Sequence, residues 1–90
     1  MDRTFGDLEP GDDIFVIEKT NPDSLEVYTI EEINETGTEI IFKLVDKGFI
    51  PISLEYIDKP YVSPKKDNDA FIDIVFSDIR LYEFLRDAYV

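Results

Sequence analysis

Carboxylates are the only abundant reactive groups in this chain, whose 90 residues carry 21 Asp and Glu against 9 Lys and Arg, with no His and no Cys. Acid–base catalysis needs a group that titrates near neutrality, and nucleophilic catalysis needs a nucleophile beside one. Without His and Cys the candidates shrink to carboxylates, Lys, Ser, Thr and Tyr. Ser53, Ser63 and Ser77 lack a Gly-x-Ser-x-Gly setting, and Lys65-Lys66 has no glycine run to cradle a phosphate. Among so many carboxylates, pairs at catalytic spacing arise by number alone. Asp67-Asn68-Asp69 with Asp73 offers hard oxygen ligands at short spacing, but the glycine and the distal glutamate of a calcium loop are not in place. Asp12-Asp13, after Pro10-Gly11, reads as turn chemistry. The expectation is a protein that is not an enzyme and takes no metal or other cofactor.

Charge decides which partners remain. A net charge of −12 is repelled by phosphate backbones and anionic membranes and is drawn to basic protein surfaces. The expected partner is therefore a protein with a basic surface, with no direct nucleic acid and no membrane. In the leading reading the chain is a small acidic interaction module, an adaptor or assembly subunit. It would dock on a larger protein through a sheet edge, the helix and charged loops, with Phe71, Tyr82 or Tyr89 as apolar anchor inside a charged rim. In the alternative it is a nucleic-acid-mimicking inhibitor of a DNA- or RNA-binding protein, of the kind phages encode. Glu26, Glu31, Glu32, Glu35, Asp58, Asp67, Asp69 and Asp73 would then stand in for phosphates. Duplex DNA carries one charge per ~1.7 Å of axis, so a net −12 matches roughly 20 Å of duplex.

Aromatic residues suggest one more chemistry. Phe15, Tyr28, Phe42, Tyr56 and Tyr61 would suit a cage for a methylated cation if they were exposed, but Phe42 and Tyr56 fall on the apolar faces of their strands and read as core. Self-repulsion opposes a large face-to-face interface between copies, leaving a monomer or small oligomer. The first twenty residues contain no apolar run of signal-peptide length, and nothing approaches the ~20 apolar residues of a membrane span. A cytoplasmic protein is expected.

The elements that must position these residues are mostly strands. Leu8-Glu9-Pro10-Gly11-Asp12 is a tight turn with φ preset by Pro10 and positive φ open to Gly11. Strands are predicted near 13–18, 25–33, 39–45, 49–57 and 70–76, with turns at Asn21-Pro22-Asp23-Ser24, at Glu35-Thr36-Gly37-Thr38 and at Asp46-Lys47-Gly48. In 25–33 the apolar phase shifts. Leu25 and Val27 share one face, Tyr28 and Ile30 the other, and Ile33 returns to the first, the mark of a strand that is bent or buried on both sides. Pro51 cannot donate to a ladder and places its strand at an edge or a bulge. Residues 58–69 read as the longest loop. Ser77 or Asp78 caps a helix near 78–89, whose Leu81, Tyr82, Leu85, Ala88 and Tyr89 recur at helical spacing. Phe71 and Val75 lie opposite Ile72, Ile74 and Phe76, so the last strand is either central under that helix or part of an open patch.

The absence of βαβ alternation excludes a parallel sheet. A single domain over 1–90 follows, mainly β (β-rich α+β). It is a five-stranded antiparallel small barrel or strongly bent sheet, similar to SH3 domains in strand pattern alone, with a C-terminal helix.

Overall fold

A computed structural model describes residues 3–18, 21–62 and 73–88. Six strands form one antiparallel sheet that curls into a half-barrel: β1 (Asp13–Glu18), β2 (Asn21–Glu35), β3 (Glu39–Leu44), β4 (Phe49–Ser53), β5 (Tyr61–Val62) and β6 (Asp73–Phe76). Their spatial order is β4-β3-β2-β1-β6-β5, and a helix, α1 (Tyr82–Ala88), follows β6 after a 3-10 turn at Ile79–Leu81.

The spine is β2. Drawn straight, its 15 residues would span about 50 Å, more than the molecule's longest dimension of 33 Å. The strand therefore bends, and it does so at irregular pairings, one opposite Val16–Glu18 of β1 and one at Ile30–Glu32 against β3. The second irregularity resets the side-chain phase. Ile33 consequently packs against the same core as Tyr28 and Ile30, where unbroken alternation would have returned it to the face of Leu25 and Val27.

Each face of the sheet carries a core. On the concave face, Ile14, Ile30, Ile40, Phe42, Leu44 and Ile52 meet Phe5 and Leu8 from the N-terminal segment. That segment is held by backbone bonds from Phe5 N–H to the Lys59 carbonyl (3.1 Å) and from Gly6 N–H to the Ile57 carbonyl (2.8 Å). Gly6 fits because a Cβ there would sit 3.0 Å from the Ile57 carbonyl oxygen. On the convex face, Ile17, Ile74, Phe76 and Leu85 form the second core, with Phe15, Leu25, Tyr61, Leu81 and Tyr82 packed around it. The last strand is thus central, its Ile74 and Phe76 under α1 and its Val75 turned toward the concave core.

Several local expectations change. The Pro10-Gly11 turn forms, with Gly11 at φ 96°, whereas Gly37 does not take positive φ in its turn, and in the next hairpin Asp46 takes φ 57°. In the Thr36–Thr38 loop, the Thr36 hydroxyl accepts the N–H groups of Thr38 and Glu39 and so shapes the turn. Asn21–Ser24 belongs to β2 and is not a turn, because Glu18 already pairs with Asn21 and the Ser24 hydroxyl accepts the Glu18 N–H. The strand expected to run to residue 57 stops at Ser53 and gives way to a 3-10 turn over Leu54–Tyr56. Within the expected loop 58–69, Tyr61–Val62 pairs with β6 as the sixth strand. Of the strand expected over 70–76, Asp73–Phe76 is seen, and its first residues lie outside the described ones.

Candidate functional site

The convex face divides at β1. Along β1 and β6 it is covered by α1, which is latched to the start of β2. The Tyr82 hydroxyl donates to the Asp23 carbonyl (3.0 Å), and the Arg86 guanidinium lies 3.9 Å from the Asp23 carboxylate and 5.6 Å from the Tyr82 ring centroid. Tyr82 is therefore half-buried and committed to holding the helix.

Along β3 and β4 no described element covers the convex face. Strict alternation in β3 buries Ile40, Phe42 and Leu44, which leaves Glu39, Ile41 and Lys43 facing outward. Cross-strand pairing sets Ile41 opposite Pro51 and Lys43 opposite Phe49. Phe49 is 63% exposed, Pro51 is exposed, and exposed Val45 stands on the adjoining turn. Lys43 is bound to Glu31 at 2.9 Å, and that bond, with the Glu31 and Glu32 charges, raises its pKa. The result is an apolar strip rimmed by Glu31, Glu32, Glu39 and Asp46. It borders a sheet edge, because Ile50 and Ile52 turn their backbone groups toward β3 while those of Phe49, Pro51 and Ser53 face outward. Pro51 subtracts one donor from that edge, as its sequence position suggests.

A second feature lies where α1 begins. Val27, Phe15, Phe76 and Tyr61 stand in register across β2, β1, β6 and β5, and the Phe15 and Phe76 rings stack at 5.4 Å. Beside Phe15 opens a recess of about 250 Å³ walled by Arg3, Asp12, Asp13, Asp78 and Ile79. Asp78 is the N-cap of the turn before α1 and only 4% exposed. It accepts hydrogen bonds from the Arg80 side chain and backbone and from the Arg3 N–H. Chiefly through the Arg80 guanidinium, its carboxyl is held well below the ordinary carboxylate range. Ser77 does not cap; its hydroxyl donates to the Arg3 and Pro60 carbonyls and ties the N-terminus to β6. The Asp12 carboxylate accepts the Glu9 N–H at 2.8 Å and pairs with the Arg3 guanidinium at 2.5 Å, and those contacts, the backbone bond first, lower its pKa.

The acidic residues singled out from sequence occupy separate places. Glu31 and Glu32 border the Phe49 strip, and Glu35 is exposed at the end of β2. Glu26 and Asp73 flank β1 from opposite sides, opposite Val16 and Glu18 respectively, and the Tyr28 hydroxyl donates to Glu26. Asp58 is exposed beyond the Leu54–Tyr56 turn. Asp67, Asp69, Phe71 and Tyr89 lie outside the described residues. Among the described residues, no group of three or more carboxylates gathers as a cation site, and no helix is long and apolar enough to cross a membrane. Phe49 was not singled out, although a signal existed: Ile50 and Ile52 point inward, so Phe49 and Pro51 point out.

Comparison with known proteins finds no matching family model, no matching curated protein and no matching solved structure.

Proposed function

We infer that the protein is a small acidic interaction module that docks on a basic surface of a larger protein through the bare convex face of β3 and β4. The observation that carries this reading is Phe49, 63% exposed on the edge strand of an apolar strip with carboxylates at its margin. Interfaces favour this arrangement, a desolvated aromatic anchor within a polar rim. Burying such a ring contributes about 2–3 kcal/mol, energy that the fold leaves unused. The rim supplies charge complementarity and a faster encounter with a cationic partner.

The distribution of carboxylates favours docking over nucleic-acid mimicry. They occur on β1, β2, β3, β6 and α1, five separate elements, and are not concentrated on one strand or loop.

Capture from the native cell separates the readings. The docking reading expects a basic protein that binds the wild-type chain, is lost with Phe49→Ala and is kept with Phe84→Ala, since Phe84 is equally exposed on α1, away from the strip. Equal loss with both variants would refute it. A nucleic-acid-binding protein displaced by DNA, retained by Phe49→Ala and lost when Glu31, Glu32 and Glu35 become Lys, would favour mimicry.

A further inference from the structure

A guanidinium already stands at the wall of the recess beside Phe15, where Arg3 pairs with Asp12, and that contact shows its chemistry. Arg3 reaches Asp12 from the chain's own N-terminal segment, with its side chain 45% exposed. Asp12 and Asp13 are neighbours in sequence, yet only Asp12 is neutralised: among the described residues the Asp13 carboxylate has no cation and accepts only the Thr29 hydroxyl at 3.0 Å. Asp13 and Phe15, two residues apart on β1, lie on the convex face. One surface of the Phe15 ring rests on Phe76, and Phe15 is among the residues that line the recess. Ile79, 46% exposed, supplies apolar surface to its wall, and Val27, 52% exposed, stands opposite Phe15 on β2. An uncompensated carboxylate two residues from an aromatic wall suits a planar cation, which can stack on the ring while it pairs with the acid.

We propose that this recess is a binding site for an arginine side chain of a partner protein, formed by Asp13 and Phe15 and bordered in the free chain by the chain's own Arg3, which is paired with Asp12. A volume of about 250 Å³ accommodates one long side chain and excludes a folded element. Arginine is preferred over lysine because a guanidinium stacks and bridges two acceptors, whereas an ammonium acts as a strongly hydrated point charge. The incoming arginine competes with Arg3 for Asp12 and gains Asp13, so Arg3 lowers the apparent affinity. The site adjoins the bare half of the convex face. Its biological purpose rests on the docking reading, but its chemistry does not.

The test is titration of the isotope-labelled full chain with acetyl-Gly-Arg-Gly-amide and with its lysine counterpart, followed by amide NMR. The expected result is saturable shifts concentrated at Asp13, Phe15, Asp78 and Ile79, with the lysine peptide weaker. Arg3→Gln should tighten arginine-peptide binding about two- to fivefold, the range of one exposed ion pair. Asp13→Asn, which keeps an acceptor for Thr29, should weaken it by a similar factor. Shifts spread evenly over Glu31, Glu32 and the helix acids would mean general attraction to an acidic surface and would overturn the site. Indifference to Arg3→Gln or to Asp13→Asn would do the same. Phe49→Ala should leave these titrations unchanged, so failure of the recess and failure of the docking face are separate results.

Discussion

At Ile17, Ile74 and Phe76 of β1 and β6 both faces of the sheet are covered, by the concave core on one side and by α1 on the other, whereas along β3 and β4 no described element covers the convex face. The contrast does not come from a shortage of apolar residues. Ile41, Phe49 and Pro51 continue on the second half the surface that Ile17, Ile74 and Phe76 provide on the first. It comes from length. A seven-residue helix is roughly 10 Å long, enough to cover two strands at their 4.7–4.9 Å spacing and not enough to cover four. A domain of this size leaves much of its surface unburied, and here Phe49 and Val45 belong to that remainder on this half, with Val27, Ile79 and Phe84 elsewhere.

That contrast can be tested by removing one contact from each region. The largest effect is expected from Phe42→Ala. Phe42 is fully buried beneath the bare half and touches Phe5 at a ring distance of 6.4 Å, so its loss should cost about 3–5 kcal/mol in urea unfolding and leave little folded protein. Leu85→Ala, which removes the helix's one buried anchor, should cost about 2–4 kcal/mol. A cost near zero there would mean that α1 contributes nothing to the covered half and that the two halves do not differ as described.

Asp78→Ala should follow at about 2 kcal/mol at neutral pH, the upper range for a helix cap. Its effect should depend on pH with a definite sign. The Asp78 carboxyl is held below the ordinary range in the folded chain, so its stabilising contribution is complete above about pH 4 and is lost as pH falls below that. The gap between wild type and Asp78→Ala in thermal unfolding should narrow below pH 4, and a constant gap would count against the cap. The smallest effect belongs to Phe49→Ala, within about 0.5 kcal/mol. A cost above 2 kcal/mol would show that the exposed face helps hold the fold and is not spare for a partner.

What could be read from the chain followed from short-range rules. The Pro10-Gly11 turn, the alternation of β3, the edge position marked by Pro51 and the cap at Asp78 each follow from two to six neighbouring residues. The phase shift in β2 announced a bend, although the irregular pairing at Ile30–Glu32, which places Ile33 with Ile30, depends on how β3 lies beside it. The two-residue β5 has no periodicity to detect and exists because β6 pairs with it. Asn21-Pro22-Asp23-Ser24 has turn composition, yet pairing with β1 draws it into β2. For the candidate site, strand parity located the outward face of β3 and β4. The recess was not legible, because it joins Arg3, Asp13 and Asp78 from three distant parts of the chain.

The continuous course of β2 has a mechanical consequence. Because one strand contributes Tyr28 and Ile30 to the concave core and Leu25 to the core under α1, the two cores share a backbone and a disturbance of β2 reaches both. A partner that settles on the bare face meets side chains set by that shared strand's pairing with β3, so it loses less free energy to ordering the surface than it would on a free loop.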